Sequence, residues 1–113
     1  MNPGASELAE VLAALETVLR ARRSADPKRS YTAGLYAAGA DAILKKIGEE
    51  AAEVLLAAKN PDRAQLVHEL ADLWFHTLVL MAAYDVPLSA LGAELARRMG
   101  RSGLDEKAAR GQA

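Results

Sequence analysis

Cysteine is absent from this 113-residue chain, so disulfides, thiolate metal sites and cysteine nucleophiles are all excluded. Aromatic residues make up only 4% against 51% hydrophobic residues overall, so aliphatic side chains carry the apolar content. Alternating stretches of Val, Ile and Thr are missing too, which leaves no candidate strand. The net charge is −1, short of the basic surplus that sequence-independent nucleic-acid binding needs. No uninterrupted apolar run approaches the roughly 20 residues of a membrane span. The N-terminus carries acids and no basic segment before its apolar residues, unlike a secretory leader. The expectation is one cytoplasmic domain over residues 1–113, with neither nucleic acid nor membrane as a partner.

What is present is Ala and Leu in quantity, both strong helix formers. Leu8, Val11, Leu12, Leu15, Val18 and Leu19 recur at three- and four-residue steps and predict a helix from about Ser6, its N-cap, to about Arg23. Ser24 to Tyr31 is polar, contains Pro27 and reads as a loop. A short helix is predicted over Thr32 to Ala38, interrupted by Gly39, and a long one from an Asp41 N-cap to Lys59, stopped at Asn60-Pro61. A third main helix spans Asp62 to Tyr84 and a shorter one Ser89 to Met99, with a mobile tail expected over residues 100–113. The few-residue turn at Asn60-Pro61 makes the two helices beside it an antiparallel hairpin. The second of that pair is apolar over much of its circumference and must be covered on several sides. The fold class is therefore all-α, a bundle of about four to five helices whose core is completed by homodimerisation.

Two segments carry chemistry: KKIGEEAAE (Lys45 to Glu53) and HELAD (His68 to Asp72). A helix advances about 100° per residue, which puts Lys46, Glu49, Glu50 and Glu53 within an arc of about 100°. By the same rule Glu69, Asp72 and His76 fall within about 60° of one another. In an antiparallel hairpin the two acidic stripes can face each other and gather Glu49, Glu50, Glu53, Glu69 and Asp72 around one pocket. Crowded carboxylates repel, and some take up protons unless a cation neutralises them. Oxygen-only ligands suit a hard cation, Mg²⁺ or Mn²⁺, and the chemistry this suggests is metal-assisted attack of water on a phosphoanhydride. The plain reading of either segment alone is a solvated acidic face, with Lys46 an i,i+4 partner of Glu50 and His76 a hydrogen-bonded, half-buried histidine. Trp74 and Phe75 read as core or dimer interface.

The spacing Glu50-x-x-Glu53 followed by Glu69-x-x-Asp72 resembles the signature of the all-α nucleotide pyrophosphohydrolases. Residues 30–60 (SYTAGLYAAGADAILKKIGEEAAEVLLAAKN), residues 66–86 (LVHELADLWFHTLVLMAAYDV) and the tail RSGLDEKAAR (101–110) resemble one branch of that group, the phosphoribosyl-ATP pyrophosphohydrolase family. The resemblance extends from about Leu8 to Arg110. It implies conversion of phosphoribosyl-ATP and water to phosphoribosyl-AMP and pyrophosphate, the second step of histidine biosynthesis. It also implies Mg²⁺ held by Glu49, Glu50, Glu53, Glu69 and Asp72, one of which doubles as base. Lys46 then contacts the phosphates, and Ser30, Tyr31, Thr32 and His76 lie at the substrate. Arg101, Ser102 and Lys107 close over it.

Three other functions fit parts of the sequence. A pyrophosphatase of free nucleoside triphosphates shares the carboxylate motif, but the Ser-Tyr-Thr entry and the Ser-Gly-x-x-Glu-Lys tail favour phosphoribosyl-ATP. A di-iron carboxylate bundle requires Glu-x-x-His pairs, and Asp72 and His76 are four apart. A pure dimerisation module makes the acids ordinary surface.

Overall fold

The computed structural model describes residues 3–99 together with Lys107, Arg110 and Gly111. Within residues 3–99, five α-helices run in order: α1 Pro3–Ala21, α2 Tyr31–Ala38, α3 Ala40–Ala58, α4 Arg63–Ala83 and α5 Leu88–Arg98, with a 3-10 turn at Arg22–Ser24 after α1. The described residues contain no strand.

The helix ends follow from local chemistry. Ser30 caps α2, its hydroxyl accepting from the Ala33 N–H at 3.1 Å, and Asp62 caps α4, its carboxylate accepting from the Gln65 N–H at 3.1 Å. Gly39 has φ 103°, a conformation open to glycine, and in one residue it ends α2 and starts α3. This corrects the expectation that Asp41 caps α3: the helix begins at Ala40, and Asp41 sits in its first turn, where a carboxylate suits the helix dipole. Likewise α1 begins at Pro3, so Ser6 lies inside the helix.

The α3–α4 hairpin is the most extensive pairing, with α1 laid on α4, α2 on α3 and α5 on α1. Leu19, Leu35, Ile43, Leu78, Val79 and Ala82 form the buried core, drawn from α1 to α4 and not from α5. Polar struts fix the elements around it. The Tyr36 hydroxyl donates to the Leu19 carbonyl at 2.9 Å, and burial pushes its phenol pKa up. Arg23 Nη1 donates to the Ala82 carbonyl and to Asp85 Oδ1 at 2.7 Å, closing the C-terminus of α4. The guanidinium holds the Asp85 carboxyl below its usual range. Glu16 of α1 accepts from the Leu88 N–H at 2.6 Å and so supplies α5 with a cap from another helix.

Among the described residues, α4 alone is long and apolar enough by length and composition to cross a membrane. It carries Glu69, buried in the bundle, and the half-buried Asp72, and a carboxylate within a bilayer costs several kcal/mol. The apolar side chains of α4 divide between the core and the surface. Leu78, Val79 and Ala82 enter the core, whereas Val67, Leu70 and Trp74 stay exposed, Trp74 by 51%. Trp74, with Leu8 and Leu12 of α1 and Leu88, Leu91 and Leu95 of α5, borders an open apolar trough of about 540 Å³, and Val67 and Leu70 line a second apolar hollow that shares Leu8, Leu12 and Trp74 with it.

The acid limb of stability has a local contributor in α5. Glu94 receives hydrogen bonds from Arg97 and Arg98, which lower its pKa from 4.5 to about 2. A carboxyl whose folded pKa is depressed stabilises above its unfolded pKa and loses that contribution as pH falls through the folded value. Glu94→Gln is thus expected to remove part of the stability change between pH 4.5 and about 2, and to leave the profile above pH 6 parallel to the wild type, read by chemical denaturation at each pH.

Candidate active site

Antiparallel pairing brings the middle of α3 against the first half of α4, and the side chains that meet there are acids. Glu50 and Glu69 are each 8% exposed, and Asp72 is half-buried. One carboxylate oxygen from each lies within 4.8 Å of the other two. Each acid is held by a neighbour one turn away on its own helix. Lys46 Nζ sits 3.2 Å from Glu50 Oε1, Gln65 Nε2 donates to Glu69 Oε1 at 2.7 Å, and His68 Nε2 lies 3.5 Å from Asp72 Oδ2. The hydrogen bond to Glu50 raises the Lys46 pKa, and the neighbouring Glu49 carboxylate adds to it, so the ammonium is secure at neutral pH.

This trio fits a divalent cation. An octahedral Mg²⁺ with oxygens at about 2.1 Å places its ligands about 3 Å apart when adjacent and about 4.2 Å when opposite. The trio's oxygens, within 4.8 Å of one another, lie in a comparable range. All donors are hard oxygens, and three buried or half-buried carboxylates in one cleft call for a positive charge.

Of the five acids expected around one pocket, the structure brings Glu50, Glu69 and Asp72 together. Glu49 and Glu53 are exposed on α3, and the Glu49 carboxylate lies 4.0 Å from Lys45 Nζ. Ser30 and Thr32 are at the start of α2, the first spent on capping and the second buried. Tyr31 is exposed but reaches inward, its hydroxyl 2.8 Å from His76 Nε2. His76 is 5% exposed, with Nδ1 2.8 Å from the Asp72 carbonyl oxygen. Beside Tyr31 an open hollow of about 460 Å³ is bordered by Pro27, Lys28, Arg29, Ser30 and Leu35. Lys107 is exposed, and Arg101 and Ser102 lie outside the described residues, as does most of the tail expected to be mobile. Sequence reasoning missed Gln65, whose i,i+4 spacing to Glu69 is the signal that could have found it.

A helical hairpin that carries E-x-x-E on one arm and E-x-x-D on the other, with Glu50, Glu69 and Asp72 meeting between them, matches the layout of the all-α nucleotide pyrophosphohydrolases. Within that class, a sequence model of phosphoribosyl-ATP pyrophosphohydrolase matches residues 12–99. The chain is 52% identical over 100 residues to a phosphoribosyl-ATP pyrophosphatase of Neisseria gonorrhoeae, covering 88% of this chain and 94% of the relative. It is 52% identical over 101 residues to that of Chromobacterium violaceum (89% and 94%) and 48% identical over 102 residues to that of Nitrosomonas eutropha (90% and 87%). The chain belongs to the phosphoribosyl-ATP pyrophosphohydrolase family.

Proposed function

We propose that this protein is a cytoplasmic, homodimeric, Mg²⁺-dependent hydrolase that converts phosphoribosyl-ATP and water to phosphoribosyl-AMP and pyrophosphate, the second step of histidine biosynthesis. Family membership supports the substrate, and the convergence of Glu50, Glu69 and Asp72 supports the chemistry. Three carboxylates and a polyphosphate repel one another, so a cation has to stand between them. Glu50, Glu69 and Asp72 would hold it, with Glu49 and Glu53 at the open side of the same helix. Bound there, Mg²⁺ neutralises phosphate charge and makes a coordinated water more acidic.

The chain's own residues supply the rest. Lys46 carries a secure positive charge beside Glu50 and steadies the phosphates. One of the acids takes the proton from the water as its oxygen bonds to phosphorus, and the bond to the pyrophosphate leaving group breaks. Ser30, Tyr31 and Thr32 form the wall at the start of α2, and Arg101, Ser102 and Lys107 add donors for the substrate's phosphates.

The deciding experiment is pyrophosphate release from phosphoribosyl-ATP, run beside a panel of nucleoside triphosphates, with Mg²⁺ and with excess chelator. The expected outcome is turnover of phosphoribosyl-ATP alone, lost on chelation and restored by added Mg²⁺. Equal turnover of the free triphosphates would move the protein to the house-cleaning pyrophosphatases. Release that persists under chelation would remove the metal from the mechanism.

A further inference from the structure

The two nitrogens of the His76 ring face partners of different chemistry. Nδ1 lies 2.8 Å from the Asp72 carbonyl oxygen, which has no proton to give, so Nδ1 carries the proton and donates. The neutral ring then offers Nε2 only as an acceptor, and the Tyr31 hydroxyl 2.8 Å away must donate to it. The ring cannot easily turn out of this arrangement. It is 5% exposed, with the Tyr31 and Phe75 rings set edge-on to it at centroid distances of 5.9 and 5.2 Å.

A phenol has one proton. With that proton committed inward, the oxygen of Tyr31 shows the cleft only lone pairs. We infer that His76 is a positioning residue that fixes Tyr31 as a hydrogen-bond acceptor. Tyr31 then recognises a donor on the nucleoside part of the substrate, a sugar hydroxyl or an exocyclic amine, and not a phosphate. Phosphate oxygens are themselves acceptors and gain nothing from such a phenol. Lys46, a cation 3.2 Å from Glu50, serves the phosphates instead. Donor and acceptor thus divide the substrate between its anionic and its nucleoside ends. This inference rests on the phosphoribosyl-ATP reading for its ligand, though not for its geometry.

The test combines ring ¹⁵N spectroscopy with calorimetric binding, neither of which depends on turnover. In ¹⁵N-labelled full-length protein at alkaline pH, long-range ¹H–¹⁵N correlation is expected to show His76 as the Nδ1–H tautomer, with His68→Asn used for assignment. An Nε2–H tautomer overturns the inference. Phosphoribosyl-AMP and pyrophosphate are then titrated separately into the Mg²⁺-loaded protein. Tyr31→Phe is expected to weaken phosphoribosyl-AMP about five- to tenfold, the worth of one neutral hydrogen bond, and to leave pyrophosphate unchanged. His76→Leu frees the phenol proton, so phosphoribosyl-AMP should weaken while pyrophosphate tightens. His76→Gln keeps an acceptor near the Nε2 position and should restore both; it also serves if the leucine variant fails to fold. Pyrophosphate binding weakened by Tyr31→Phe as much as phosphoribosyl-AMP binding overturns the inference. So do effects of His76→Leu that add to those of Tyr31→Phe in the double variant. Wild-type turnover of phosphoribosyl-ATP, measured separately, decides the reaction reading on its own.

Discussion

Glu50→Gln is expected to lower pyrophosphate release by more than about 100-fold, since even partners one shell outside a metal cost 10- to 100-fold when removed. Glu50 is the acid with the most to lose. It is buried, it is paired with Lys46, and it is the one member of the trio contributed by α3. The amide keeps the volume and one oxygen but gives up the charge that balances a cation. The fold should not suffer. The pair with Lys46 is partly exposed and worth at most about 1 kcal/mol, and removing one of three crowded carboxylates relieves repulsion with Glu69 and Asp72. The metal-free variant should therefore melt close to the wild type. Added Mg²⁺, which stabilises whatever state binds it, should raise the wild-type Tm and leave the variant's unmoved. Wild-type turnover and a wild-type Mg²⁺ response in Glu50→Gln would turn the acids into ordinary surface.

Trp74→Glu is expected to make the protein monomeric. The trough along α1, α4 and α5 exposes Leu8, Trp74, Leu91 and Leu95 together, far more aliphatic and aromatic surface than isolated exposed residues require. A second copy of the chain covers it in the proposed dimer, and large central aromatics of such interfaces cost about 2–4 kcal/mol or more when lost. Replacement by a charge should weaken association at least about 100-fold, since each 1.4 kcal/mol is tenfold. Sedimentation velocity reads the result directly. The wild-type Tm should also rise with protein concentration and the variant's should not. A wild type that sediments as a monomer at high concentration would leave the trough unexplained and end the dimer proposal.

Periodicity made the helices legible because strong punctuation bounds them at Pro61 and Pro87, whereas the caps that satisfy free N–H groups, Ser30 and Asp62, came from the structure. Gly39 was harder. A residue at φ 103° both ends one helix and begins the next, and no side chain announces that. The site was legible to the level of helix faces and no further. Lys46, Glu49, Glu50 and Glu53 share one arc, but which part of that arc meets α4 depends on how the two helices cross. That selected Glu50 and left Glu49 and Glu53 in solvent. The link between Tyr31 and His76 spans 45 positions and arises only when α2 folds onto the hairpin. No local pattern encodes it. Trp74 illustrates a further limit: it was read as core or interface, and the single chain leaves it half in water.

The carboxylate of Glu16 binding the first N–H of α5 has a kinetic corollary. It ties the rims of the apolar trough to each other before any second copy arrives, so encounter requires little rearrangement. Such preformed surfaces combine at about 10⁵–10⁷ M⁻¹s⁻¹ without a slow conformational phase. Releasing that tether with Glu16→Ala should therefore slow pairing of the proposed dimer more than it disturbs the acidic cleft between α3 and α4.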